Sequence, residues 1–155
     1  MEIEYLEEEE DQYYSLVTLK SLNQFEKIDD PKDFISIDFY DIGEQPNEEQ
    51  MTAFQFLLNN EEKVFSSLIK GALASYNSVY LERFKDLIEF LPRIENEDDF
   101  KKAVTIENII ISDNHEDDAS FVMFKGECNW DEEHGFCIVM LKDKFITMKS
   151  WDYYH

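Results

Sequence analysis

Basic residues are scarce in this chain of 155 residues: 14 Lys and Arg stand against 36 Asp and Glu, a formal charge of -22. A surface of that sign repels phosphate backbones and anionic membranes. Nucleic-acid binding would forfeit the electrostatic term that normally dominates it, and a basic protein partner is the better match. The same charge also serves solubility, or suits a high-salt or acid-tolerant proteome. Cysteine is nearly absent, since Cys128 and Cys137 are too few for a disulfide framework. No apolar run approaches membrane-spanning length, and the N-terminal MEIEYLEEEEDQYY carries acids where a secretory leader needs a basic start and an apolar run. With four glycines in all, the chain has no phosphate-cradling glycine loop, and it has no serine nucleophile elbow. The expectation is a soluble, cytoplasmic protein that takes neither nucleic acid nor membrane as partner and calls for no cofactor.

Apolar mass is plentiful, at 43% of residues with 13 Phe and 8 Tyr. A chain of this length buries roughly 68–70% of its unfolded surface, so residues 1–155 read as one domain, with residues 1–11 an acidic, solvated lead-in. Tyr13 to Leu19 is aromatic and β-branched and predicts a strand. Phe34 to Tyr40 alternates Ile35, Ile37 and Phe39 with Ser36 and Asp38 and predicts a second, with one face buried. Asn47 to Gln50 carries the capping-box pattern, followed by the stripe Met51, Phe54, Leu57, Leu58. A second helix restarts at Asn60, its stripe running from Val64 and Phe65 to Tyr76, and a third amphipathic piece spans Val79 to Leu91, ending before Pro92.

A short helix at Asp99 to Ala103 then leads into strands at Ile106 to Ser112, Ala119 to Lys125, Phe136 to Leu141 and Phe145 to Met148. Brief polar segments between them are the pattern of an antiparallel meander. The expected fold is therefore α+β: an antiparallel sheet, made of a C-terminal meander of about four strands plus N-terminal strands, packed against a central helical segment. Phe136 to Leu141 is continuously apolar, which implies cover on both faces, by helices on one side and by a loop, the N-terminal strand or a second subunit on the other.

The densest chemistry is Glu127-Cys128-Asn129-Trp130-Asp131-Glu132-Glu133-His134-Gly135-Phe136. Placed between two strands, Asp131 to Gly135 falls at a hairpin tip, where Gly135 supplies the left-handed residue such loops need. A five-residue loop sets Cys128 against Ile138, and a four-residue loop sets it against Cys137. The register stays open, with two separate reduced thiols the expectation. Trp130, Asp131, Glu132, Glu133, His134 and Gly135 are the candidate functional hairpin. Glu133 and His134 are metal-ligand types and His115 lies on the preceding hairpin, yet no metal-binding spacing joins them. Cys128 sits among carboxylates that weaken it as a nucleophile. The alternative to a site is a charged turn with Trp130 in the core.

The pattern Cys128-x-Trp130-Asp131-Glu132-Glu133-His134-Gly135, preceded by the Pro46 to Gln50 helix start and Asn59-Asn60-Glu61, resembles a bacterial domain-of-unknown-function family that shares this hairpin. The resemblance covers most of residues 13–152. Cys137 stands where another glycine is expected, and Val79 to Leu91 looks like an enlargement. The resemblance implies an α+β fold in a bacterial, cytosolic setting and no established activity. By analogy with small acidic bacterial domains, it points to an immunity or accessory protein that neutralises a toxin. Two classes of function follow. One is a non-catalytic binding protein for a basic partner, with Trp151, Tyr153 and Tyr154 as anchors unless that tail folds back over a sheet edge. The other is an enzyme or metal-binding protein centred on Glu133, His134 and His115.

Overall fold

Among the described residues, the apolar alternation read from the sequence builds a seven-stranded sheet in strand order 1-2-3-4-5-6-7. The structure is a computed structural model that describes residues 7–9, 12–25, 34–40 and 45–150. Trp151, Tyr153 and Tyr154 lie outside them. The strands are β1 (Glu7–Glu9), β2 (Gln12–Val17), β3 (Ile35–Phe39), β4 (Val104–Glu116), β5 (Ala119–Cys128), β6 (Phe136–Leu141) and β7 (Lys144–Lys149). Glu7–Glu9, inside the acidic lead-in, thus pairs with β2. The meander β4 to β7 is antiparallel throughout. Between β3 and β4 the pairing is parallel, with Ile37 opposite Ile109, so the sheet is mixed. The long helical segment between those strands imposes this, because a crossover returns the chain to the same end of the sheet.

Helices α1 (Glu48–Asn59) and α2 (Glu61–Ser75) cover one face. Asn47 and Gln50 form the expected capping box in both directions. Gln50 is fully buried, and its amide also donates to the Tyr40 carbonyl at 2.8 Å, which ties the start of α1 to the end of β3. The inward face of α1 is Gln50, Ala53, Phe54 and Leu57, and that of α2 is Val64, Phe65, Leu68, Ile69 and Ala72. Phe65 meets Phe124 edge-on at 5.5 Å between ring centroids, joining α2 to the middle of β5.

Bulges keep the core in phase. Val104 and Ile106 face the helices, and so do Ile109 and Ile111, although the two pairs differ in parity. Glu107 is the extra residue that reconciles them, for Ile106 pairs with Gly126 while Asn108 pairs with Lys125. Strand β6 is buried on both sides, as its apolar run implied: Phe136, Ile138 and Met140 join the helix-side core. Cys137 and Val139 are buried on the outer face, where Cys137 stands between Lys125 and Lys149.

The third amphipathic helix does not form as expected. Residues Tyr76–Tyr80 are a π turn, Leu81–Arg83 a single α turn (α3), and Lys85–Phe90 a 3-10 turn. No side-chain cap starts any of them, and the aromatic and β-branched residues here are weak helix formers. The short helix α4 (Glu97–Ala103) follows, capped by Asn96. Among the described residues, no helix is long and apolar enough to cross a membrane.

Candidate functional site

The last rung between β5 and β6 joins Gly126 to Phe136, so Glu127 to Gly135 forms a nine-residue connection instead of the four- or five-residue loop expected. The physical reason lies on the other side of β5. Glu127 and Cys128 continue to pair with Thr105 and Val104 of β4, so the strand outruns β6 before it turns. The Asn129 amide then donates to the Ala103 carbonyl at 3.0 Å and fastens the turn to the end of α4. Cys128 faces the helix-side core, its thiol 3.6 Å from the Asp131 carbonyl, while Cys137 is buried on the outer face, and neither is in a disulfide. Burial pushes the Cys137 thiol up to about 12, against the pull of Lys125.

Trp130 occupies a core position at 8% exposure. Its ring lies 5.0 Å from Tyr76, 6.2 Å from Phe100 and 6.2 Å from Phe136, while Tyr80 approaches its edge at 6.2 Å. The Tyr80 hydroxyl donates to the Trp130 carbonyl at 3.2 Å and the Tyr76 hydroxyl to the Pro92 carbonyl at 2.6 Å. Burial raises both phenols to about 12, reinforced by the Cys128 thiol at Tyr76 and by Asp131 at Tyr80. This aromatic cluster fastens the hairpin to the irregular segment that follows α2. The apolar stripe of α2 ends at Tyr76 in the sequence pattern, but Tyr80 and Phe84 continue the stack beyond it, at 5.4 Å and 4.7 Å. Their spacing of four residues was the available signal.

The polar residues of the motif build the turn itself. The Asp131 carboxylate accepts from the His134 amide at 3.1 Å and contacts its Nδ1 at 3.1 Å, while the Asp131 carbonyl accepts from the Gly135 amide at 2.9 Å. Gly135 has φ of 70°, and a Cβ there would run into the Gly126 carbonyl. Both conformation and space therefore require glycine at this turn. Glu132 and Glu133 are exposed, and His134 Nε2 is 4.0 Å from Glu133 Oε1.

His115 does not join them. It pairs in register with Ser120 and contacts Glu49 at 4.0 Å, six positions along β5 from Gly126, or roughly 20 Å at the rise of an antiparallel strand. No group of three metal-ligating side chains converges among the described residues. Clefts are lined by described residues at Phe56 and Lys142 and at the junction of α1 with α2, apart from the hairpin.

The two segments that meet at Trp130 carry more exposed acids than bases, the exposed lysine there being Lys102. Glu127, Glu132 and Glu133 on the hairpin are exposed, as are Glu95, Glu97 and Asp98 on the α4 side, and the Asn129–Ala103 hydrogen bond and the Phe100–Trp130 contact join the two segments. The family described as Domain of unknown function (DUF6985) matches residues 6–155. No curated protein and no solved structure matches the chain.

Proposed function

Because the chain belongs to that family, whose description carries no activity, its role rests on its own residues, and we propose that it is a non-catalytic binding protein for a basic protein partner. The reading includes a bacterial, cytoplasmic setting and the manner of an immunity protein that blocks a cationic toxin. The observation that carries it is the acidic ledge on both sides of Trp130, in a chain of net charge -22. Such a ledge steers a cationic surface into encounter and repels anionic ones. The conspicuous chemistry of the hairpin is spent on making the turn, which leaves its outward carboxylates free to face a partner.

The test is affinity capture on the full chain from its native host at 50 and 500 mM salt. The expected result is a basic protein held at the lower salt and released at the higher, with binding weakened by Glu132→Gln, Glu133→Gln and Glu97→Gln combined. Recovery of no basic protein, or binding indifferent to salt and to those substitutions, overturns the reading.

The Asp131–His134 contact favours a second reading, in which a carboxylate orients an imidazole as general base. Under it, His134→Gln would abolish a measurable turnover. Under the binding reading, the same variant still captures the basic partner.

A further inference from the structure

We draw no further inference here: the strongest candidate, the exposed apolar patch of Val79, Leu87, Ile88 and Phe90 on the segment that follows α2, carries nothing because nothing among the described residues shows what covers it.

Discussion

Trp130→Ala is the sharpest test of whether the hairpin motif is architecture. The indole fills a site bounded by Tyr76, Tyr80, Phe100 and Phe136 and is 8% exposed. Removing it leaves a void among rings that are held elsewhere: Tyr76 by its hydrogen bond to Pro92, Phe136 by the β5–β6 ladder. Such a site collapses poorly, and large aromatic deletions in cores cost about 3–5 kcal/mol. Against a total stability of roughly 5–15 kcal/mol this is a major fraction. With a urea dependence of about 2 kcal/mol per molar, the unfolding midpoint should fall by about 1.5–2.5 M. Far-ultraviolet circular dichroism is the appropriate probe, because the substitution removes one of only two tryptophans and would confuse fluorescence. Trp130→Phe should recover more than half of the loss. A cost below about 1 kcal/mol for Trp130→Ala would refute the reasoning, since no packed indole is that dispensable. The motif would then need a functional explanation.

Gly126→Ala and Gly71→Ala should both be damaging. A Cβ on Gly126 runs into the Thr105 carbonyl in the β4–β5 ladder, and one on Gly71 runs into Cβ and Cγ of Phe145, the root of that side chain, where rotation gives no relief. Urea titration should show a loss of about 3 kcal/mol for the first and of about 1–3 kcal/mol for the second, the range for overpacking a filled core. Stability should also fall as pH rises through the window 9 to 12. Cys137, Tyr76 and Tyr80 ionise in the unfolded chain near their ordinary values of 9 and 10, but in the fold only near about 12, so the unfolded state binds fewer protons there and is favoured. Thermal melts at pH 8.5 and 11 check this, and Tyr80→Phe should flatten the decline; a melting temperature independent of pH over that range would count against burial of these groups. Finally, a thiol reagent at pH 8 should modify Cys137 only after denaturant is added.

The strands and the two long helices were legible because their signals are local. Alternation at Ile35, Ile37 and Phe39, the capping box at Asn47 and Gln50, and the stripe from Val64 to Tyr76 each specify an element within a few residues. The parallel seam was not legible, since nothing near Ile37 or Ile109 records which end of the sheet the crossover returns to. Nor was the turn length, because Cys128 reads as a strand residue set against β6, whereas the β5–β6 ladder stops at Gly126 and Cys128 pairs with β4. In Val79 to Leu91 the apolar spacing is helical, but it serves a stacked inner side and an uncovered outer one, a division that periodicity alone does not distinguish from burial. Trp130 as core and Gly135 as the left-handed residue both follow from reading the hairpin as a turn.

The seam between β3 and β4 also governs how the chain must be made. A ribosome releases β1 to β3 first, yet Ile37 must wait for Ile109, roughly 70 residues behind it, before its sheet edge is closed. During that interval the nascent polypeptide carries the edge of Ile35, Ile37 and Phe39 with nothing beside it, the interval in which a holdase would find it and neighbouring nascent chains could aggregate with it.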